Sequence, residues 1–168
     1  MSLYTIETPP KTRIENALVY RLKTITKDNG FLTDVRGVFD GLKVALSDIT
    51  ETPCILYVFK KEDTLEFSSG DRPGDTNASF YPTATVDLYC IVKDADFNSA
   101  KLEIIKRDVL HLLGLTNWML YDSNGQPTAQ LVRWTGAEIF PSLNKEPRKG
   151  IRIGLAITYA HDYNQANA

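Results

Sequence analysis

Two segments of the chain carry apolar residues at helical spacing. The first stripe has the 3.6-residue period of an amphipathic helix and consists of Ile14, Ala17, Leu18, Leu22 and Ile25. The second stripe, within residues 98–113, consists of Leu102, Ile105, Val109, Leu112 and Leu113. Thr8 and Pro9 favour a helix start before the first stripe, and Asn29-Gly30 favours a stop after it. The pattern therefore predicts two helices, each with one buried face.

The other apolar segments have the pattern of β-strands. Residues 31–39 predict a strand, and residues 54–59, CILYVF, are apolar on both faces, as expected of a central strand. Residues 83–93 and 150–163 alternate apolar and polar side chains, which predicts two long strands with one buried face each.

Residues 118–140 predict a β-hairpin. Asn124-Gly125 is typical of a tight hairpin turn, and Gly136 indicates a bulge or a bend in the second arm. Two helices are too few to cover both faces of the predicted sheet. We therefore expect an α+β fold in which an antiparallel or mixed sheet carries the two main helices on one face. The other face would be solvated or buried by another subunit.

A polar segment, EFSSGDRPGDTNASFYP at residues 66–82, interrupts these patterns. We expect a long loop over residues 62–82 that follows the central strand and is mobile in the isolated chain. The 168 residues fit a single domain, with an N-terminal arm over residues 1–8 and a frayed tail over residues 163–168. The net charge of −2 argues against a general affinity for nucleic acid.

The loop matches no known phosphate or calcium motif. A P-loop needs a lysine after its second glycine, whereas SGDRPGDT has none, and Asp71 and Asp75 would repel phosphate. A calcium loop needs about five oxygen ligands at fixed spacing, which two acids do not supply. Asp94 and Asp96 could contact Mg²⁺, although acids between a strand and a helix are typical of helix capping. We expect no metal, no cofactor and no catalytic residue.

Cysteines and tryptophans also have structural interpretations. Cys54 and Cys90 lie in apolar, strand-like segments, so we expect small, buried, reduced thiols. Trp118 and Trp134 lie on the predicted hairpin with acids rather than bases among the nearby aromatics, which favours core packing or subunit contact over stacking on nucleic-acid bases.

Charge is unevenly distributed along the chain. Residues 62–82 hold five acids and one base, whereas residues 143–153 hold four bases and one acid. Opposite patches on one chain suit a head-to-tail contact that closes into a ring. The candidate residues for self-association or partner contact are Asp71, Arg72, Asp75, Phe80, Tyr81, Lys145, Arg148 and Lys149.

The order of these elements resembles the tail terminator, or tail-completion, proteins of long-tailed bacteriophages and their relatives at the head–tail joint. The resemblance covers about residues 10–160. It consists of IENALVYRLKTI leading into VRGVF, TPCILYVF before a long polar loop, and TVDLYCIV followed by AKLEIIKRDVLHLL and the tryptophan hairpin.

This resemblance implies a structural virion protein without enzymatic activity, assembled in the host cytoplasm and located at the head-proximal end of the tail. Its copies would form a six-membered ring that ends polymerisation of the tail tube and offers an interface to the head connector. The implied partners are other copies of the chain, the tail tube protein and the connector or neck protein. DNA would pass through the ring without specific binding, and no membrane is involved.

Other functions remain open from the sequence. A head-completion or neck adaptor would also be a small ring-forming protein. A small metal-dependent nuclease could use Asp94 with Asp96, or Asp71 with Asp75. A single-strand nucleic-acid binder could use the tryptophans.

Overall fold

A computed structural model describes residues 9–67, 79–93, 99–129, 131–140, 148–159 and 161–162. Its helices are α1 (Pro10–Leu22) and α2 (Ser99–Leu115), with short 3-10 helices at Lys27–Asn29 and Leu46–Asp48. Its strands are β1 (Gly37–Asp40), β2 (Cys54–Phe67), β3 (Ser79–Lys93), β4 (Leu120–Tyr121), β5 (Pro127–Ala129), β6 (Leu131–Phe140), β7 (Arg148–Thr158) and β8 (His161–Asp162).

The main sheet has the strand order β1-β2-β3-β7-β6, and β8 pairs with the beginning of β3. β1 and β2 are parallel, and the other neighbours are antiparallel, so the sheet is mixed. β4 and β5 form a separate two-stranded sheet. The predicted α+β class, with a mixed sheet and two main helices, is confirmed.

Both helices pack on one face of the main sheet, which we call the inner face. All ten apolar residues of the two predicted helical stripes are buried. The inner face of β3 carries Ala84, Val86, Leu88, Cys90 and Val92, and the paired face of β7 carries Ile151, Ile153, Leu155 and Ile157. The helical and strand periods thus meet in one continuous core, as the pattern predicts.

The helix ends differ from the predicted ones. α1 ends at Leu22, earlier than Asn29-Gly30, because the Thr24 hydroxyl donates to the Arg21 carbonyl at 2.6 Å and the chain turns. Ile25 stays buried beyond the helix. At its start, Pro9 is the N-cap and Pro10 the first helical residue, one position later than predicted.

The predicted strand over residues 31–39 is wrong over most of its length, since only Gly37–Asp40 pairs with β2. Before it, the backbone amides of Leu32 and Thr33 donate to the buried carboxylate of Asp108 on α2, at 3.1 and 2.7 Å. These bonds satisfy the amides away from any sheet. The segment before β1 is therefore bonded to α2.

The predicted loop over residues 62–82 is too wide at both ends. β2 continues to Phe67 and β3 begins at Ser79, because Glu66 pairs with Tyr81 and Phe67 with Phe80. Charged residues conceal this extension from pattern analysis, since they do not alternate with apolar ones. Residues 68–78, the N-terminal arm 1–8 and the tail 163–168 lie outside the described residues.

The predicted hairpin turns at Asn124-Gly125, where the Asp122 carboxylate accepts hydrogen bonds from the backbone amides of Asn124 and Gln126, each at 2.9 Å. Its arms are unequal. β4 pairs with β5 alone, whereas the second arm continues as β6 into the main sheet beside β7. The register shift between Trp134 and Gly136 confirms the predicted bulge.

Candidate interaction surface

The outer face of the main sheet, opposite the helices, divides into an apolar half and a charged half. In the apolar half, Ile49, Cys54, Leu56 and Ile91 form a buried cluster. Partly buried side chains around it are Phe39, Val44, Leu46, Tyr89 and Phe140. A cleft of about 420 Å³ lies between this part of the sheet and the segment after β1. That segment, rather than a described helix, covers this half of the outer face.

The charged half carries a row of four alternating charges on four strands, which we call the charge row. The Lys60 Nζ lies 2.5 Å from Asp87 Oδ2, and the Arg152 Nη1 lies 3.5 Å from the same oxygen. The Arg152 Nη2 lies 3.3 Å from Glu138 Oε2. The row thus crosses β2, β3, β7 and β6 in sheet order.

Asp87 is the centre of the charge row. It is only 4% exposed, although both described helices lie on the opposite face of the sheet. The Tyr89 hydroxyl also donates to its carboxylate, at 3.4 Å. The hydrogen bond and the attraction to Asp87 raise the pKa of Lys60 above its ordinary value, so this lysine stays charged. The carboxylate therefore has cations on both neighbouring strands, which compensate for its burial.

On the inner side, one tyrosine–glutamate pair connects α1 with the sheet, and a second pair joins β2 to the residue that follows β7. The Tyr57 hydroxyl donates to Glu15 on α1 at 2.8 Å, and the Tyr159 hydroxyl donates to Glu62 on β2. Lys11 on α1 lies 3.9 Å from Glu62. Burial, followed by these hydrogen bonds, raises the pKa of both phenols, which keeps them protonated as donors.

β6 is an edge strand of the main sheet, and most of it is exposed. The Val132 amide donates to the Trp118 carbonyl at 2.7 Å, so the hairpin covers the beginning of this edge. Beyond that point the edge is open among the described residues. Three of the seven exposed large hydrophobic residues of the described chain lie on β6, namely Leu131, Trp134 and Ile139. Such an edge is a surface on which another strand can pair.

The structure separates the residues that were predicted to act in self-association. Phe80 and Tyr81 belong to β3 and pair with Phe67 and Glu66 of β2. Arg148 and Lys149 begin β7 and pair with Lys93 and Val92, at the opposite end of β3. Asp71, Arg72, Asp75 and Lys145 lie outside the described residues. The acidic and basic sets therefore do not meet within one chain at the described positions, and their contact between copies stays a prediction.

The residues considered for other chemistry have structural surroundings where they are described. Cys54 and Cys90 are buried thiols that form no disulfide, as predicted, and burial raises the pKa of the Cys90 thiol. Asp94 and Asp96 lie outside the described residues. The described part of the chain holds no cluster of three or more histidines, cysteines and acids suited to a metal ion. Nor does any helix within these ranges have the length and apolar character needed to cross a membrane.

Sequence reasoning missed the open edge of β6 and the charge row. A strand pattern does not reveal which strand ends the sheet, and the partners of Asp87 come from strands that are distant in sequence. The available signal was Asp87 itself, an acid within the alternating strand of residues 83–93.

Comparison with known proteins gives no family assignment, because no protein-family model and no curated protein matches the chain. Among solved structures, the chain is similar to a chain from the virion of a native gene transfer agent (GTA) particle. The TM-score is 0.39 and the sequence identity 12%, with 94% of this chain and 99% of that chain covered. A likeness at this TM-score carries no argument about function.

Proposed function

We propose that this chain is a structural protein of a phage-type virion that acts as a tail terminator. Six copies form a ring on the last ring of the tail tube, end tube polymerisation and present an interface to the head connector. The chain performs no catalysis in this role, and DNA passes through the ring. The order of helices, strands and hairpin that carries the resemblance to tail terminators is the order of the elements in the fold.

The observation that carries the proposal is the distribution of surfaces on the sheet. Both helices lie on the inner face, whereas the outer face holds an apolar cleft and the charge row, and β6 leaves an edge open. A small protein that exposes a sheet face and a sheet edge offers several separate surfaces for protein contacts. A terminator needs such surfaces for its own copies, the tube and the connector.

End-capping of tail tubes tests the proposal directly. Purified protein is mixed with tubes assembled from the tube protein, and negative-stain images are collected with and without it. We expect a ring at one end of each tube and shorter tubes when the protein is present during polymerisation. If the tube ends stay bare and no ring forms at high protein concentration, the chain is not a terminator.

The ring contact has its own test, based on the acidic and basic sets. We propose a head-to-tail contact between the acidic segment of one copy and the basic segment of the next copy, and Asp75 and Arg148 are chosen as test positions in these segments. Asp75→Arg alone should abolish ring formation, as should Arg148→Asp alone, since each places like charges together. The double variant should restore rings. If it restores nothing, this pair does not form the contact, although the chain could still cap tubes through other residues.

The same preparations separate the alternative functions. Binding to the connector on DNA-filled heads, with no binding to tube ends, would identify a head-completion or neck adaptor. Metal-dependent cleavage of DNA that is lost in an Asp94→Ala/Asp96→Ala variant would identify a nuclease. We expect tube-end binding and no cleavage.

A further inference from the structure

The open edge of β6 begins at Arg133 and ends at Phe140. Trp118 occupies the edge beside Val132, which is the residue before it. Pro141 follows Phe140 in the sequence and has no amide hydrogen with which to continue a ladder. Within this edge Thr135 is the extra residue of the bulge, because Trp134 pairs with Leu155 and Gly136 with the next residue, Gly154. The other residues of the edge occupy successive ladder positions.

The backbone groups that point out of the sheet along this edge follow from the register. The Val132 amide points away from β7, since it donates to Trp118. Residues alternate in antiparallel ladders between those bonded to one neighbour and those bonded to the other. Every second ladder position after Val132 therefore also directs its amide and carbonyl outward, and Thr135, the extra residue of the bulge, is not counted. These positions are Trp134, Ala137 and Ile139. These three residues are the available backbone partners for another strand.

The same three residues share the inner face. They pair with Leu155, Ile153 and Ile151 of β7, whose side chains belong to the core. Trp134 is 47% exposed and Ile139 50% exposed, so half of each large apolar side chain faces solvent. A partner strand would have to supply apolar cover at two positions, separated by one small residue.

We propose that two copies of this chain pair antiparallel through β6, around a two-fold axis at Ala137. Trp134 then faces Ile139 of the second copy, and Ile139 faces Trp134 of the second copy. The two Ala137 residues face each other at the axis. This register matches outward backbone groups with outward groups throughout and adds about six backbone hydrogen bonds. It ends on both sides where the edge ends, at Arg133 and Phe140.

Charge on the outer face fits the same register. Arg133 and Glu138 lie on the outer face, since they pair with Ala156 and Arg152. In the paired arrangement Glu138 faces Gly136 of the second copy, and its diagonal neighbours there are Arg133 and Glu138 of the second copy. Diagonal neighbours across a ladder are within reach of long side chains. The two attractive Glu138–Arg133 contacts outnumber the one repulsive contact between the Glu138 residues, so the edge is complementary to itself in apolar character and, on balance, in charge.

This contact is isologous, so it closes at two copies and describes the free protein. A ring of equivalent copies requires a different, head-to-tail contact. The dimer would keep the edge of β6 covered before assembly, and it does not depend on the proposed role at the tail.

Analytical ultracentrifugation over a range of concentrations tests the dimer in the absence of any phage component. Ile139→Lys places a charge at both Trp134–Ile139 contacts of the dimer, because each copy contributes one Ile139. We expect the dissociation constant of the dimer to rise about tenfold or more. Leu42→Lys is the matched control, since Leu42 is a 73% exposed apolar residue after β1, and it should leave the constant unchanged.

Cysteine cross-linking tests the register. Facing residues of a hydrogen-bonded pair have Cα atoms about 5.5 Å apart, a distance that a disulfide can span. Ala137→Cys should therefore give a covalent dimer under mild oxidation, which non-reducing electrophoresis detects. Ala45→Cys, at another exposed alanine, should form no covalent dimer. The native cysteines are buried and should not interfere.

Two results would overturn the proposal. A chain that is monomeric at all concentrations would show that the bulge, Arg133 and Glu138 protect the edge from pairing. A dimer that persists in Ile139→Lys and gives no Ala137→Cys cross-link would use another surface.

Discussion

The inner and outer faces of the main sheet are built from the same strands, but different interactions stabilise them. Leu88 on the inner face is fully buried by the helical layer, as are its neighbours along β3 and β7. Asp87, the preceding residue, points to the outer face, where Lys60 and Arg152 surround it. The inner face is held by apolar burial, whereas the charged half of the outer face is held by ion pairs. The two faces of one sheet are therefore stabilised by different kinds of contact.

The largest effect should come from a cavity on the inner face. Leu88→Ala should lower the free energy of unfolding by about 2–5 kcal/mol, because it removes buried apolar atoms and leaves a void. Urea denaturation followed by circular dichroism measures the change. Thr85→Ala, on the outer face of the same strand, is the control and should change the free energy by less than about 1 kcal/mol. Equal losses from the two variants would remove the distinction between the faces.

A smaller loss is expected at the centre of the charge row. Asp87→Asn keeps the side-chain size but leaves Lys60 and Arg152 as neighbouring cations without their shared carboxylate. Breaking hydrogen bonds to a buried charged group should cost about 1–3 kcal/mol. The loss should be larger in low salt than in 0.5 M salt, since salt screens the remaining repulsion. A stability equal to that of the wild type in low salt would show that the charge row is not stabilising.

The tyrosine–glutamate pair between α1 and β2 should have a moderate effect that depends on pH. Tyr57→Phe should cost about 0.5–1.5 kcal/mol at pH 7, through loss of the hydrogen bond to Glu15. The pKa of Tyr57 is raised in the folded protein above its ordinary value of 10.0. The stabilisation that the protonated Tyr57 hydroxyl gives to the fold is therefore present in full below pH 10 and is lost as the pH rises further.

Denaturation at pH 8 and at pH 10.5 tests this linkage. The difference in unfolding free energy between the wild type and Tyr57→Phe should be smaller at the higher pH. Tyr20→Phe, at an exposed tyrosine of α1, is the matched control. A gap that stays constant between the two pH values contradicts the linkage.

The smallest effect belongs to the exposed end of the charge row. Glu138→Gln removes the outer ion pair with Arg152, in which the Glu138 side chain is 61% exposed. Exposed ion pairs contribute about 0–1 kcal/mol, so the unfolding free energy should hardly change. The same variant should weaken the proposed β6 dimer in low salt, because it removes the diagonal partner of Arg133. Unfolding and sedimentation of one preparation separate these two roles.

Particular residues show how far sequence reasoning extends. The stripe from Ile14 to Ile25 identified buried residues correctly even though α1 ends at Leu22, because a turn can keep a side chain in the core. Gly136 identified the bulge, because a glycine within a strand weakens regular pairing. The hydrogen bonds of the Leu32 and Thr33 amides could not be predicted, since their acceptor, Asp108, lies far along the chain on the second helix. The charged extension of β2 was assigned to a loop for lack of alternation.

The sequence by itself determined the α+β class and the inner face of each helix and long strand. These properties depend on local periods of 3.6 and 2 residues, which any reader of the chain can count. Only the tertiary structure decided which strands are neighbours, and therefore that β6 ends the sheet with Trp134 and Ile139 half exposed. It also decided that Asp87 meets Lys60 and Arg152. Strand order depends on pairings between distant segments, and no local pattern encodes it.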